Sequence, residues 1–571
     1  MATTIKKLPS AECPWMKYYG QDWPDYPNIS LYDFFRENNE KYPDDIAIIY
    51  LRKKIRYSEL NQRIDACARA LLSLGAMRND IITIALPSTP EAVCIIYAIN
   101  KIGGVANMIH PLSSADEICF YLNEVKSKYF FLLDKTYSIV KDELNKTTVE
   151  KAIVVSPVEM MSPPIKALYR LKAKPEKVQE NMIFTTWRQF KRLGKGTTPL
   201  QSMKADNDWA VITHTGGTTG SPKGVVCTNS NYIYQTRNLI GNWDVRRQDV
   251  LLVHLPPFIN YSLSALFESL SFGFKTVLIP EYEPMKLAEH IRRYNVTYIQ
   301  SIPAYWESLL KKKKIGKKDF TTLVGGASGG ERLDINTEIA INSVLHAGGA
   351  KNKLMKGIGM TETTSGVAGT FPGCNPLGCV GLPFPKTNCR IVDINTGDEL
   401  SYNEEGEICF SGPTIMWGYY DNPEATAKII ETDSDGTRWL HTGDIGYMNE
   451  DGVIFLSGRL KRLIMQKDAH GIVSKIFPER IEETVNSHPA VNASCVIGIP
   501  DTARIARPVA VVELIKNQTA SPRLKEEIIN MCAATLPQYM VPTEIIIIET
   551  MPRTDRGKID YRAVEQMVSG E

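Results

Sequence analysis

THTGGTTGSPKG, residues 213–224, is made almost wholly of glycine and hydroxylated residues and closes on Pro-Lys-Gly. WAVIT before it and GVVC after it are short, apolar and β-branched, so the segment reads strand–loop–strand. A Walker A loop needs G-x-x-x-x-G-K-[ST] running into a helix, and the chain contains none. The chemistry on offer is still anion binding. Gly216, Gly217 and Gly220 allow backbone geometries in which several N–H groups converge on one phosphate. Thr215, Thr218, Thr219 and Ser221 add hydroxyl donors, and Lys223 adds a charge behind a rigid proline. A linker or plain hairpin tip does not usually combine threonine, glycine and lysine between two apolar strands.

Outward from the loop, strands and helices alternate. DIAIIYL, DIITIALP, LLVHLP, TVLIP and YIQSIP read as buried strands. LYDFFRENNEKYP, YSELNQRIDACARALLSLGA, EAVCIIYAINKIGG, ALFESLSFG and MKLAEHIRRYN carry helical periodicity. That order predicts an α/β fold, with parallel sheets covered by helices on both faces. At 571 residues the chain exceeds one core. After the strand VIFL and the basic stretch SGRLKRLIMQKDAHG, the last ~110 residues read as a separate α+β unit. There ASCVIGIPD, ARPVAVVEL and TEIIIIE are strands, and SPRLKEEIINMCAATL is a helix capped by Ser521.

Composition narrows the function classes. A net charge of +2 drives the chain toward neither nucleic acid nor an acidic membrane. Eleven scattered cysteines without a C-x-x-C pair argue for a reducing compartment and against a disulfide framework or structural zinc. There is no secretory h-region and no run of ~18 apolar residues, so a cytoplasmic enzyme is expected. PPIKALYRLKAKPEK, residues 163–177, reads as a basic helix. It is a solvated excursion, the commoner case, or else a peripheral membrane contact or a gate near an acyl tunnel. The run Lys311–Lys314 reads as the cationic end of a helix.

Five ordered segments together resemble the adenylate-forming (AMP-binding) superfamily, which includes acyl-CoA synthetases, nonribosomal adenylation domains and luciferases. They are the quoted loop, KGIGMTET (356–363), GEICFSGPTIMWGYYDNPEAT (406–426), WLHTGDIGYMNEDGVIFLSGRLKRLI (439–464) and PRTDRGKIDYR (552–562). The resemblance implies a large N-terminal domain (1–459), of parallel-sheet α/β subdomains plus a small β-barrel. It implies next a small mobile α+β domain (460–571) hinged at Lys461. It further implies ATP, Mg2+ and CoA as the small molecules handled.

The same resemblance assigns the site. Thr215, Gly216, Gly217, Thr218, Thr219, Gly220 and Lys223 would hold the phosphates. Gly326, Ala327, Ile358, Gly359, Met360 and Thr361 would line the nucleotide and acyl pocket. Glu362 would ligate Mg2+, Asp444 and Arg459 would hold the ribose, and Lys558 would reach the α-phosphate. The catalytic set is thus Lys558, Glu362 and Thr215. Chemistry agrees, since a carboxylate is a ready acceptor for ribose hydroxyls and a hard ligand for Mg2+. A carboxylic acid with pKa ~4–5 is already an ionised nucleophile at pH 7, so no general base is needed.

Three departures from the family pattern stand out. Ile358 replaces the usual aromatic beside adenine. LPPFINYSL (255–263) has Ile259 and Asn260 where many members place a histidine. The stretch after the hinge is longer than usual. The segments expected to line the pocket are small and apolar, which favours a fatty or aryl acid over an amino acid. The thiol acceptor is read as CoA, with a carrier protein acting in trans as the alternative. Two remoter readings are a nonenzymatic nucleotide binder and a serine hydrolase. The second rests on GASGG (326–330), which follows a strand-like TTLV, precedes a helix-like ERLDINTEIAINSVLH and fits G-x-S-x-G, with Ser328 as nucleophile and Asp393 and His441 as candidate partners.

Overall fold

The computed structural model describes residues 7–19, 25–196, 200–215, 222–240, 243–312, 315–467, 473–501, 505–553 and 559–569. It divides into two compact units: Trp15–Asn388 with Ser411–Leu440, and Met1–Pro14 with Cys389–Phe410 and His441–Glu571.

The larger unit holds two sheets. One runs in the order Gly418–Tyr419, Gly224–Thr228, Trp209–His214, Val105–Met108, Ile81–Ala85, Tyr129–Leu133, Lys151–Val155, Phe184–Thr186. From Trp209–His214 onward every pairing is parallel, while the first two are antiparallel. The expected strand–loop–strand is therefore the hairpin that turns a parallel sheet antiparallel at its edge. The second sheet runs Lys53–Arg56, Ile46–Tyr50, Lys275–Leu278, Val250–Val253, Tyr298–Ser301, Gly325–Ser328, Met355–Gly359, Gly366–Gly369, Cys379–Pro383. Its centre is parallel and its ends antiparallel.

Pro90–Lys101 is buried at every residue, and Asn260–Ser271 at all but Tyr261. A helix buried all round has a neighbour on every side. Tyr57–Ser73 packs on the first of these and Asn229–Ile240 on the second. Caps set the starts: Ser30 Oγ accepts from Asp33 N–H at 3.0 Å, and Thr89 Oγ1 from Ala92 N–H at 3.2 Å.

Three expectations shift. Of TTLV, Thr321 and Thr322 are turn and Leu323 and Val324 are irregular, and the strand begins at Gly325. The helix expected from Glu331 starts at Ile335, because Asp334 caps it by accepting from Thr337 N–H at 2.9 Å. Lys311 and Lys312 lie beyond the helix Pro303–Glu307 and do not close it, and Lys313 and Lys314 lie outside the described residues. Of the segment 163–177, Pro163–Ala173 is helical and the last four residues are not; the helix has no buried residue, with Leu168 52% and Leu171 73% exposed. Among the described residues no helix is long and apolar enough to cross a membrane.

Within the smaller unit, the strand residues 389–392, 406–410, 441–448 and 454–459 lie side by side. A five-stranded sheet follows, in the order Val473–Ile476, Ile464–Lys467, Ile505–Leu514, Val491–Asp501, with Glu544–Ile548 added parallel to Ile505–Leu514. Its two faces carry separate cores. Ile481, Val485, Ile528 and Cys532 cover one, from Pro478–Asn486 and Pro522–Thr535; Met551 and Val564 cover the other. Ser521 caps its helix as expected, accepting from Leu524 N–H at 3.2 Å.

Candidate active site

The neck of the glycine-rich loop is pinned from both sides. Thr215 N–H donates to the Lys223 carbonyl at 3.0 Å, and Lys223 N–H donates to Thr215 Oγ1 at 3.3 Å. Gly216, Gly217, Thr218, Thr219 and Gly220 lie outside the described residues. Lys223 Nζ stands 4.8 Å over the ring of Tyr419, a cation–π distance. Tyr419 sits on the edge strand, in register with Val225. Its hydroxyl donates to Glu362 Oε1 at 2.6 Å. Burial, then the Glu362 carboxylate, pushes the Tyr419 phenol well above its ordinary range, so it remains a donor. Glu362 is itself buried in the short turn Thr361–Thr363, and its carbonyl accepts from Met416 N–H at 2.9 Å.

Gly326 and Ala327 lie on the strand neighbouring Met355–Gly359, with Ala327 opposite Met355. Ile358 and Gly359 end that second strand, and Met360 and Thr361 lead from it into the turn holding Glu362. The smallness of Gly326 has a packing cause beside the expected ligand one. A Cβ there would come within 2.6 Å of the Trp306 indole, whose Nε1 donates to the Ala327 carbonyl at 3.1 Å. Gly359 is likewise fixed by sterics, since a Cβ would meet the Ser365 carbonyl at 1.9 Å. Ile358 is buried.

Asn260, one of the two residues standing where the family pattern leads one to expect a histidine, is buried. It accepts from the Tyr232 hydroxyl at 2.7 Å and donates to the Thr361 carbonyl at 3.0 Å. Two other histidines come near this region: His110 packs its ring 4.6 Å from that of Phe258, and His254 Nε2 lies 2.8 Å from Ser301 Oγ. Burial pushes the His254 imidazole down to about 3, so it is neutral. Glu268, fully buried, accepts from Gln300 Nε2 at 2.6 Å, and desolvation pushes its carboxyl up to about 8.

Ser328 is the last residue of a strand, opposite Lys356, and not the apex of a strained turn. Its Oγ has no hydrogen-bond partner among the described residues. His441, its candidate base, is engaged by Glu407 and Cys409. The geometry gives the hydrolase reading no support.

In the smaller unit, Asp444 and Arg459 face each other in antiparallel register, with Arg459 Nε 2.7 Å from Asp444 Oδ1. Asp444 is buried and its N–H donates to Thr442 Oγ1 at 3.0 Å. The preceding Gly443, at φ +69°, donates to Glu407 Oε1 at 2.8 Å. Lys461 lies exposed in the turn Leu460–Arg462. Beside it Arg462 pairs with Glu479 at 3.1 Å and Glu482 at 2.5 Å, tying the turn to the helix Pro478–Asn486. Lys558 lies outside the described residues; flanking it, Arg553 and Ile559 form an antiparallel bridge.

Reading the sequence passed over Tyr419, Glu407, His254 and Arg462. Tyr419 stands within the quoted GYYDNPEAT, but nothing local marks which tyrosine reaches a carboxylate 57 positions away.

Comparison with known proteins gives a consistent picture. The chain is 28% identical to a "Long-chain-fatty-acid--CoA ligase" of Bacillus subtilis (strain 168), over 96% of each chain. It is 27% identical to a "Probable 4-coumarate--CoA ligase 1" of Dictyostelium discoideum, over 94% of this chain and 95% of that one. Its fold matches the crystal structure of ATP-bound MatB from Rhodopseudomonas palustris. That match has a TM-score of 0.80 at 22% identity and covers 94% of this chain and 99% of that one. The AMP-binding enzyme family matches residues 35–420, and the AMP-binding enzyme C-terminal domain matches 480–558. The chain belongs to the AMP-binding, adenylate-forming enzyme family.

Proposed function

We propose that this protein is an acyl-CoA ligase. It activates a carboxylic acid, fatty or aryl, with ATP and transfers the acyl group to CoA. The observation that carries the reading is the chain Lys223–Tyr419–Glu362 at the neck of the glycine-rich loop. A buried carboxylate with no ion pair among the described residues is costly unless a cation completes it. Glu362 therefore fits Mg2+, as a hard oxygen ligand oriented by one phenol. When bound, the ion neutralises phosphate charge during displacement.

In the first step the acid's carboxylate oxygen attacks the α-phosphorus of ATP. The bond to the β-phosphate bridging oxygen breaks, leaving acyl-adenylate and pyrophosphate. Thr215, Gly216, Gly217, Thr218, Thr219, Gly220 and Lys223 position the phosphates, and Asp444 and Arg459 hold the ribose. Lys558 meets the charge that grows on the α-phosphoryl oxygens. Adenine lies along Gly326, Ala327, Ile358, Gly359, Met360 and Thr361. In the second step the CoA thiolate attacks the acyl carbon and AMP leaves. The region after residue 459 turns about Lys461 between the two steps, so that Lys558 serves only the first.

Names of relatives support the acid class: two of them are ligases of long-chain fatty acid and of 4-coumarate. The decisive assay incubates the protein with Mg·ATP and a panel of fatty and aryl acids. Pyrophosphate and AMP are followed with CoA, without it, and with a phosphopantetheinylated carrier protein. AMP release that needs both acid and CoA is expected. Release only with the carrier would move the acceptor; ATP binding with no turnover on any acid would refute catalysis.

A further inference from the structure

Glu407 and Cys409 are two residues apart on one strand, so their side chains leave it on the same side. His441, on the neighbouring strand Arg438–Met448, meets both. Its Nδ1 lies 2.9 Å from Glu407 Oε2 and 3.4 Å from Cys409 Sγ, and the three ligand atoms all fall within 4.8 Å of one another. We propose that these three side chains form a site for a thiophilic divalent cation of the zinc class, separate from the Mg2+ at Glu362.

The geometry is close to that of a three-ligand tetrahedral centre. With metal–nitrogen and metal–oxygen bonds near 2.0–2.1 Å and metal–sulfur near 2.3 Å, tetrahedral edges are about 3.3 Å for N···O and about 3.6 Å for N···S. The two separations from His441 Nδ1 need widening by only a few tenths of an ångström, and Cys409 Sγ and the Glu407 carboxylate, within 4.8 Å, have to settle at about 3.6 Å. One sulfur, one imidazole nitrogen and one carboxylate oxygen suit Zn2+ or Co2+ and disfavour Mg2+. Three protein ligands leave a fourth position for water. Cys409 is wholly buried, whereas the His441 side chain is 28% exposed, so an ion arrives from the histidine side. On binding, the thiol proton leaves to solvent and Nδ1 gives up its proton so that its lone pair faces the ion.

The carboxylate is already oriented from behind, because Gly443 N–H holds Glu407 Oε1 at 2.8 Å. That same bond reaches the residue before Asp444. An ion on Oε2 draws charge from Oε1 and loosens the grip on Gly443, so an occupied site weakens nucleotide binding. This last consequence rests on the ribose role proposed for Asp444; the metal site does not.

The test titrates full-length apoprotein with Co2+ alone and records visible and near-ultraviolet absorption. Tetrahedral d–d bands and a thiolate-to-cobalt band at one ion per chain are expected. Cys409→Ser should abolish the charge-transfer band, and His441→Asn and Glu407→Gln should each weaken binding about 100-fold or more. Unchanged circular dichroism and melting identify variants that remain folded. Absence of the bands in the wild-type protein, or their survival in Cys409→Ser, overturns the site. In parallel, the KM for ATP is measured with and without one equivalent of Zn2+. Cobalt bands without any change in that KM remove the coupling to Asp444 and leave the site.

Discussion

The Tyr419 hydroxyl donates a 2.6 Å hydrogen bond to Glu362 Oε1 across 57 positions of sequence. It joins the edge strand of one sheet to the turn that leaves the other, and it aims the only carboxylate expected to hold Mg2+. Removing the phenolic hydroxyl leaves Glu362 buried and less well oriented. Tyr419→Phe is expected to lower kcat/KM for Mg·ATP by about 10–100-fold, the scale of a hydrogen bond to a charged group. Pyrophosphate release measured across Mg2+ concentrations checks it; unaltered Mg2+ dependence would detach Tyr419 from the metal.

Lys558→Ala is expected to slow acyl-adenylate formation by about 100-fold or more, as when a preorganised donor to the developing charge is lost. Thioester formation from chemically supplied acyl-adenylate should change far less. Equal loss in both half-reactions would contradict a role confined to the first.

Asp444 pairs with Arg459 at 2.7 Å, and burial makes its two oxygens scarce acceptors. Asp444→Asn keeps the shape and removes the charge. The KM for ATP is expected to rise by roughly 10–100-fold with the acid's KM little changed. Initial rates with each substrate varied in turn decide the matter; a rise confined to the acid would reassign the residue.

Glu268 gives the fold a pH dependence of known sign. Its folded carboxyl is raised from 4.5 to about 8 by burial, so the native state keeps a proton that the unfolded chain releases. The stability this proton confers is complete below pH 4.5 and is lost as pH rises through 8. Glu268→Gln keeps a group able to accept from Gln300 and never ionises. Its melting temperature should exceed that of the wild type by several degrees at pH 9 and differ by less than about 1 °C at pH 5. A constant difference across pH would show that Glu268 does not titrate on unfolding.

Much of the architecture was readable along the chain because its signals are local. Buried parallel strands are continuous apolar runs, helices repeat every 3.6 residues, and caps such as Ser521 sit at fixed offsets. The boundaries moved where a single side chain intervened, as when Asp334 started its helix four residues later than periodicity suggested.

The ordered motifs, too, were a property of the sequence alone. They single out the loop at 213–224, Glu362, Asp444, Arg459 and Lys558 as the candidate site. What they could not supply was partnership. Whether Glu362 stands alone or leans on Tyr419, and whether Cys409 is an inert core thiol or one corner of a Glu–Cys–His cluster, depends on pairings across tens of residues. The same holds for Gly326, made small by the bulk of Trp306 as well as by any ligand. Residue types and spacing dictate which chemistry the chain can offer. Distance and orientation between remote side chains arise only once the sheets close, because they are set by strand register and burial.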